Sequence, residues 1–370
     1  SICNFCPYCK VRYSAELCDT YIDSLIQEIH LVGSQHTERK KVTSLYFGGG
    51  TPALAAHRIK EIVAALKEHF VITEGIGIEL HPDNVNVEVL QALKDAGVTK
   101  ISIGVQSFCH KYQKLLGRKK LDTDKLLSAL SAVPFETVSM DFIFALPGQT
   151  YDDLKSDIET AFSLGANHIA IYPFIDFTFT ESPLAAMPKK AKRRLLDAIT
   201  QYCLDMGYFR SSVWTFSSEP NASYSSMTRD TFLGFGCSAT SLFKGQFKIN
   251  TFDVASYCER ISSGNLATAL TIRFTKRQRM IYWLFWTAYS TRVNAKAFET
   301  FFGVPLKKMY GIELWLAKQF GLLKEQNGTY EMTLKGAFYY HYYENFYTLS
   351  YIDKMWGILR KEAFPKQIKL

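Results

Sequence analysis

Three cysteines crowd the first nine residues of the chain, at Cys3, Cys6 and Cys9. Closely spaced thiolates on a short loop can ligate iron or zinc without a large rearrangement of the backbone. A zinc knuckle would need a second pair of Cys or His ligands, and none follows at a suitable spacing. The pattern therefore predicts a metal site, and loop thiols that bind nothing are the structural alternative.

A glycine run lies within the sequence Tyr-Phe-Gly-Gly-Gly-Thr-Pro of residues 46–52. Gly48, Gly49 and Gly50 let a ligand approach the backbone closely, and Thr51 follows them directly. The run lacks the lysine of a phosphate-binding P-loop. It predicts a loop that presents backbone N–H and C=O groups to a ligand, and a tight turn between strand and helix is the alternative.

Four polar residues stand at or beyond the ends of predicted strands: Glu79, Gln106, Arg118 and Asp141. Each one alone can be explained as a capped or paired polar side chain. Together they would place two carboxylates, an amide and a guanidinium around one mouth of the fold. A ligand that carries a zwitterionic amino-acid group and a ribose diol needs this mixture.

The elements that position these residues alternate between strands and helices. The predicted strands are residues 42–47, 76–80, 100–103, 138–144 and 168–172. The predicted helices between them are residues 57–70, 86–96, 122–132 and 151–164. Such alternation builds parallel βαβ units. Because the motifs follow the strands, we predict an α/β fold of the partial TIM-type (β/α) barrel class, with its chemistry at the carboxyl ends of the strands.

The second part of the chain is aromatic and mainly helical. A helix at 311–320, a tight turn at 327–328 and a helix from Leu334 predict a winged-helix-like element. We therefore predict a barrel domain at residues 1–245 and a helical C-terminal domain at residues 246–370.

Composition limits the class of protein. The chain has 370 residues, 47% of them hydrophobic, and a formal net charge of +8. No uninterrupted apolar segment reaches the roughly 18 residues of a transmembrane helix, so we expect no membrane span. Eight cysteines without a disulfide framework favour a cytoplasmic protein with a metal site. The densest basic run, residues 189–194, is interpreted as an exposed helix start, and we expect no nucleic-acid partner.

Six motifs follow one another in order: the cysteine cluster, Tyr-Phe-Gly-Gly-Gly-Thr-Pro, Ile-Glu-Leu-His-Pro, Ile-Gly-Val-Gln-Ser-Phe, Leu-Gly-Arg and Met-Asp-Phe-Ile-Phe-Ala-Leu-Pro-Gly-Gln-Thr. This order resembles the radical S-adenosylmethionine (SAM) family that contains oxygen-independent coproporphyrinogen III dehydrogenase. The same family contains haem chaperones and the methyltransferases that open haem without oxygen. The resemblance extends from residue 1 to about residue 240.

The resemblance implies a [4Fe-4S] cluster held by three cysteines, with SAM bound to the fourth iron. Family members carry Cys-x3-Cys-x2-Cys, whereas Cys3, Cys6 and Cys9 are one residue closer at the first spacing. We take these three as the ligands. In a rival alignment Cys3 and Cys6 are the second and third ligands, and the first ligand precedes Ser1. Both alignments leave out the first barrel strand, so we expect that the N-terminus is missing.

The same resemblance assigns roles at the strand ends. Residues 48–51 would contact the methionyl amine of SAM. Glu79 and Arg118 would hold charged or hydroxyl groups of SAM, and Gln106 and Asp141 would contact the ribose.

The implied activity is reductive cleavage of SAM to methionine and a 5′-deoxyadenosyl radical that acts on a tetrapyrrole. A protein of the flavodoxin or ferredoxin type would donate the electron, and Gly236 would line the adenine or substrate cavity. The outcome would be dehydrogenation of coproporphyrinogen III or methyl transfer to haem. A haem chaperone that binds haem, cluster and SAM without turnover is the alternative. Val11 and Lys120 replace a cysteine and a histidine that are usual in the dehydrogenase, which leaves room for the other branches.

Two features of the C-terminal part have a second interpretation. The aromatic segment 339–347 offers His341 as a haem ligand, but we favour an amphipathic helix packed on the barrel. The winged-helix-like element suggests DNA binding, but no basic recognition helix is evident. We therefore favour a role for this element as a lid or substrate domain.

Overall fold

A computed structural model describes residues 5–6, 10–175, 184–220 and 230–366 of the chain. The strands among these residues are β1 (Lys40–Val42), β2 (Leu45–Phe47), β3 (Phe70–Ile72), β4 (Ile76–Leu80), β5 (Lys100–Gln106), β6 (Thr137–Phe144), β7 (His168–Pro173), β8 (Phe209–Arg210), β9 (Thr215–Ser217), β10 (Thr240–Phe243), β11 (Gln246–Asn250), β12 (Thr268–Arg273), β13 (Arg292–Asn294), β14 (Leu323–Gln326) and β15 (Thr329–Met332).

The α-helices of the same residues are α1 (Ala15–Gly33), α2 (Ala56–His69), α3 (Val87–Asp95), α4 (His110–Leu115), α5 (Thr123–Ala132), α6 (Tyr151–Ser163), α7 (Lys189–Asp205), α8 (Val254–Ser262), α9 (Lys276–Tyr289), α10 (Ala295–Phe302), α11 (Leu306–Gln319), α12 (Leu334–Tyr347) and α13 (Asp353–Leu359). Side chains that cap the first turn fix several helix starts. Ser14, Asn86 and Asp122 accept backbone N–H groups in this way, and Thr150 forms a reciprocal capping box with Asp153.

The main sheet has seven strands in the order β2-β4-β5-β6-β7-β9-β8. The first five are parallel, whereas β9 pairs antiparallel with β7, and β8 pairs antiparallel with β9. One face of each inner strand is apolar, as Ile101, Ile103 and Val105 of β5 illustrate, whereas Ser102, Gly104 and Gln106 alternate with them on the other face. Within the described residues β2 and β8 are edges, so the sheet does not close into a full barrel. The predicted partial barrel of the α/β class is confirmed.

One predicted strand differs from the structure. Residues 42–47 form two strands, β1 and β2, which pair with different partners: β1 lies beside β3, and β2 lies beside β4. The chain changes sheets at residues 43–44, where Glu74 donates a backbone hydrogen bond of 2.6 Å to Thr43. Both segments carry apolar residues, so the pattern alone could not locate this break.

The C-terminal part contains two small antiparallel sheets, β10-β11-β12 and β13-β15-β14. The second sheet, with α10, α11 and α12, has the winged-helix-like arrangement that the sequence predicts. The predicted domain boundary after residue 245 falls in the turn between the paired strands β10 and β11, and the division stays a prediction. Within the described ranges, no helix is both long and apolar enough to cross a membrane.

A buried carboxylate of α1 binds residues that lie before α8 and within it. Glu28 is only 3% exposed. It accepts hydrogen bonds from Gly236 N at 2.7 Å, Asn250 Nδ2 at 2.9 Å and the Tyr257 hydroxyl at 2.7 Å. Burial raises the pKa of Glu28, and these three donors oppose that rise. The network fixes α1 to a part of the chain more than two hundred residues away.

Replacing Glu28 with alanine is expected to lower the free energy of unfolding by about 3–5 kcal/mol, because three buried donors lose their acceptor. Urea unfolding followed by circular dichroism would measure the change. Gln27→Ala, at the exposed neighbouring position of α1, is the matched control and should change stability by less than about 0.5 kcal/mol. Equal effects of the two substitutions would contradict the anchoring role of Glu28.

Candidate functional site

The site lies where the parallel strands end, since the carboxyl ends of β2, β4, β5 and β6 meet along one edge of the sheet. Glu79, near the end of β4, is the first polar group there. Its carboxylate accepts a hydrogen bond of 2.9 Å from the Tyr46 hydroxyl and one of 3.3 Å from Gly49 N. The glycine loop after β2 is therefore tied to β4 through one carboxylate.

The glycine loop leaves room for a ligand. Gly49 has a φ of 122°, a conformation that favours glycine. A Cβ atom added at Gly49 or Gly50 would meet no atom within 4 Å. The backbone of this loop is therefore exposed to an open space beside Glu79.

The end of β5 positions an amide and a guanidinium. Gln106 has a φ of 70°, which is unusual for a residue other than glycine and is often found at functional sites. A Cβ atom at Gly104 would lie 3.0 Å from Nε2 of Gln106, so glycine makes room for that amide. The Arg118 guanidinium donates to the Gly104 carbonyl. These contacts bring Gln106 and Arg118 together above β5.

Asp141 of β6 completes the group. Its carboxylate accepts from the Ser102 hydroxyl at 2.7 Å and from the Ser139 hydroxyl at 3.4 Å. Loss of surrounding water raises the pKa of Asp141 to about 6, and the two serines oppose the rise. For Glu79 burial comes first and the negative charge of Asp141 second, and together they raise its pKa to about 7. Two carboxylates thus share one poorly hydrated region, which favours a cationic or hydroxyl-bearing ligand.

The cysteine loop reaches this group through an aromatic ring. Phe5 lies 5.7 Å from the Arg118 guanidinium, in cation–π geometry. The next residue, Cys6, is half-buried, and its carbonyl accepts from Lys10 Nζ at 3.0 Å. The other two predicted ligands, Cys3 and Cys9, lie outside the described residues.

A carboxylate that the sequence did not single out holds the loop after Gln106. Asp157 of α6 is 2% exposed and accepts from the Ser107 hydroxyl and from Phe108 N, both at 2.7 Å. Burial raises its pKa to about 6. Asp157 therefore holds Ser107 and Phe108 in place directly after Gln106, whose backbone is in the left-handed conformation. These bonds limit the directions that the Gln106 side chain can take.

Replacing Asp157 with asparagine should weaken SAM binding by roughly 10-fold, because an amide supplies only one acceptor oxygen where Asp157 supplies two. Isothermal titration of the cluster-loaded protein with SAM would measure this. Asp152→Asn on the exposed side of α6 is the control and should leave the affinity unchanged. An unaltered affinity in the Asp157 variant would show that the loop is held by other contacts.

The structure brings together most of the predicted site: the loop of residues 48–51 and the side chains of Glu79, Gln106, Arg118 and Asp141. Gly236 is placed differently, because its N–H donates to buried Glu28 and a Cβ there would lie 2.4 Å from the Tyr21 hydroxyl. The described contacts of Gly236 are with Glu28 and Tyr21 of α1 and with Ala239 and Asn250, and none of these belongs to the strand-end group. Its predicted contact with adenine or substrate stays untested.

Sequence reasoning gave no role to several residues of the site. Tyr46 lies within the glycine motif, and Ser102 precedes Gly104 and Gln106 with the two-residue period of one strand face. Tyr46 and Ser102 could therefore be identified from the sequence. Ser139 and Asp157 gave no comparable signal, because each resembles an ordinary polar residue of a strand or helix.

The aromatic segment of the C-terminal part packs on the barrel. His341 is 3% exposed, and its ring lies 5.4 Å from Trp214 and 6.2 Å from Phe144. Burial lowers the pKa of His341 to about 3, with the nearby charge of Lys192 as a second cause. This is the packed arrangement that we favoured over an exposed haem-binding face.

The open glycine loop, the paired carboxylates, Gln106 and Arg118 offer donors and acceptors for the ammonium, carboxylate and diol of SAM. Cys6 directly follows Phe5, whose ring lies against the Arg118 guanidinium, and it offers a thiolate for iron. The residues present therefore fit a cluster and SAM. A family model described as "Radical SAM superfamily" matches residues 2–161. Residues 2–161 therefore match the radical SAM superfamily, whose members use a [4Fe-4S] cluster and SAM.

Within that superfamily the chain is similar to two proteins named "Heme chaperone HemW". The protein from Lactococcus lactis subsp. lactis (strain IL1403) is 35% identical over 179 residues, which are 47% of this chain and 46% of the relative. The protein from Bacillus subtilis (strain 168) is 25% identical over 354 residues, which are 90% of this chain and 93% of the relative.

A solved structure shares the fold of the whole chain. It is the coproporphyrinogen III oxidase (HemN) from Escherichia coli, described as a radical SAM enzyme. The TM-score is 0.77 at 21% identity, and the match covers 93% of this chain and 86% of that one. The C-terminal part therefore belongs to the shared fold together with the barrel.

Proposed function

We propose that the chain holds a [4Fe-4S] cluster on Cys3, Cys6 and Cys9, cleaves SAM reductively and acts on a tetrapyrrole. The observation that carries the proposal is the strand-end group, in which the Glu79 and Asp141 carboxylates, the Gln106 amide and the open glycine loop converge. When bound, the cluster would supply the electron that cleaves SAM to methionine and a 5′-deoxyadenosyl radical.

The chain's own groups would bind and orient SAM. Carbonyls of the glycine loop would accept from the methionyl ammonium, and Glu79 would lie beside that positive charge. Gln106 and Asp141 would hold the ribose hydroxyls, since carboxylate and amide oxygens accept from a diol. Arg118, fixed between Gly104 and Phe5, would face a carboxylate. The wall of apolar strands and helices behind these groups would keep water from the reacting centre.

A tetrapyrrole substrate is supported by the names of the similar proteins, which concern haem and coproporphyrinogen III. Either dehydrogenation of coproporphyrinogen III or methyl transfer to haem would follow from the same SAM cleavage. A protein of the flavodoxin or ferredoxin type would supply the electron in both cases.

A haem chaperone without porphyrin turnover is the second candidate. One observation favours it: the Bacillus subtilis relative named as a haem chaperone is matched over 93% of its length. In that case the same SAM site would persist, and haem would be the bound cargo.

Quantifying 5′-deoxyadenosine tests both candidates. The chain, extended by its upstream residues where these exist, is loaded with its cluster without oxygen. It then receives SAM and a low-potential reductant, with coproporphyrinogen III, with haem or with neither. Formation of deoxyadenosine that rises with one tetrapyrrole would support the enzyme. Tight haem binding with no rise would support the chaperone. A fully loaded protein that forms no deoxyadenosine would contradict SAM cleavage.

A further inference from the structure

Two histidines and a glutamate meet where the last turns of α1 and α2 lie side by side. His30 is in the last turn of α1, and Glu68 and His69 end α2. His30 lies fifteen residues beyond Ala15, so roughly 22 Å of helix separates it from the start of α1, and the end of α2 leads into β3 and β4 at the amino ends of the strands, opposite the strand-end group. This group is therefore separate from the strand-end site.

The three side chains present one ligand atom each to a common point. The atoms are His30 Nδ1, His69 Nε2 and Glu68 Oε2, and all lie within 4.8 Å of one another. The two imidazole nitrogens are 3.0 Å apart, and His30 Nδ1 is 3.8 Å from the Glu68 oxygen. With metal–nitrogen bonds of about 2.0–2.1 Å, two ligands of a tetrahedral ion lie about 3.4 Å apart. The His30–His69 and His30–Glu68 spacings differ from this value by about 0.4 Å each, and the Glu68–His69 spacing, within 4.8 Å, would close by about 1.4 Å at most.

The fold holds His69 in this position. A Cβ atom at Gly33 would lie 2.1 Å from Cγ of His69, so the ring occupies space that only a glycine at the end of α1 leaves open. The two imidazole rings meet edge to face, with an interplanar angle of 76°. The orientation of His69 is thus set by packing against α1 as well as by its own helix.

We propose that His30, Glu68 and His69 bind a divalent transition-metal ion of the zinc type, which ties the end of α1 to the end of α2. Imidazole nitrogens select Zn²⁺, Ni²⁺ or Cu²⁺ over Mg²⁺ and Ca²⁺, which prefer oxygen ligands. Without an ion, one of the two facing nitrogens carries the proton of the hydrogen bond. On binding, that proton passes through water to the other nitrogen of the same ring, and water fills the remaining coordination position.

The test uses Zn²⁺ as the probe and the protein with its [4Fe-4S] cluster loaded, so that the cluster occupies the cysteine ligands. Isothermal titration is expected to show one zinc ion per chain. Zinc-edge X-ray absorption is expected to show nitrogen and oxygen neighbours without sulfur. The midpoint of thermal unfolding should rise with zinc, because the ion binds the folded chain.

Two variants make the test specific. His69→Gln removes a ligand and should weaken zinc binding at least about 100-fold. Gly33→Ala keeps all three ligands but displaces the His69 ring, and it should weaken binding comparably. The control is His57→Gln, which changes an exposed histidine of α2. Zinc affinity that is the same in His69→Gln and His57→Gln, or sulfur in the zinc spectrum, would overturn the proposal.

Discussion

Exchange of Cys6 for alanine is expected to abolish the cluster and, with it, the cleavage of SAM. A [4Fe-4S] cluster on three thiolates cannot spare one of them, so iron and sulfide should fall to near zero per chain. Formation of 5′-deoxyadenosine should fall on the order of a thousandfold or more, because the electron donor is lost. Iron content, the visible absorption of the cluster and product analysis would measure the three effects.

Cysteine variants also decide between the two alignments of the ligand loop. Cys18→Ala changes a half-buried cysteine of α1 and is the matched control, with the cluster retained. Cys9→Ala should lose the cluster if Cys3, Cys6 and Cys9 are the ligands, and should keep it if the first ligand precedes Ser1. A Cys6→Ala variant with full iron content would contradict both alignments.

Replacing Glu79 with glutamine is expected to weaken SAM binding by about 10- to 100-fold, which corresponds to about 1.5–3 kcal/mol for hydrogen bonds to a charged group. The affinity should also depend on pH. The pKa of Glu79 is raised to about 7, first by burial and then by Asp141. Below that value Glu79 is protonated and has no negative charge to attract the ammonium of SAM, so the affinity of the native chain should fall as the pH falls from 8 to 6.

Titration calorimetry across this pH range would measure the effect. In Glu79→Gln the part of the pH dependence that comes from this group should vanish, and the affinity should stay low throughout. Glu88→Gln, an exposed residue of α3, is the control with native behaviour. A Glu79→Gln variant with the native pH profile would show that another group controls binding.

The raised pKa values of Glu79 and Asp141 also affect the stability of the ligand-free chain. Since both folded pKa values exceed those of an unfolded chain, the two groups stabilise the fold when they are protonated. That contribution is complete below about pH 4 and is lost as the pH rises through about 6 to 7. A cationic ligand beside Glu79 and Asp141 would offset this loss of stability above about pH 7, where both carboxylates are charged and SAM is expected to bind best.

The barrel could be predicted from the sequence because short apolar strands alternate with amphipathic helices along the chain. Each of β4 to β7 overlaps a predicted strand. The positions of the glycine loop, Glu79 and Gln106 could also be predicted, since each lies at or just beyond the carboxyl end of a strand that the apolar pattern gives.

Other parts depended on contacts that no local pattern contains. Glu28 is a charged residue within a helix, and its partners Gly236, Asn250 and Tyr257 are far along the chain. Asp157 likewise resembles a surface residue of α6 until β5 and its loop are packed beside it. The family resemblance assigns Gly236 to the adenine or substrate cavity, which stays a prediction, and the close neighbour that the structure shows is Tyr21 of α1.

The ends of β5 and β6 each carry one residue whose backbone is in the strained left-handed conformation, and the strain has a different consequence at each end. Gln106 and Ala145 both have φ values near 70°, at 70° and 65°. At Ala145 a change to glycine would relieve the left-handed conformation by about 1 kcal/mol, but it would also remove a fully buried methyl group and add freedom to the unfolded chain, which offset that gain. At Gln106 the same change would remove the amide of the proposed SAM site. The strain at the end of β6 is therefore balanced by packing, whereas the strain at the end of β5 comes with a side chain that the proposed site needs.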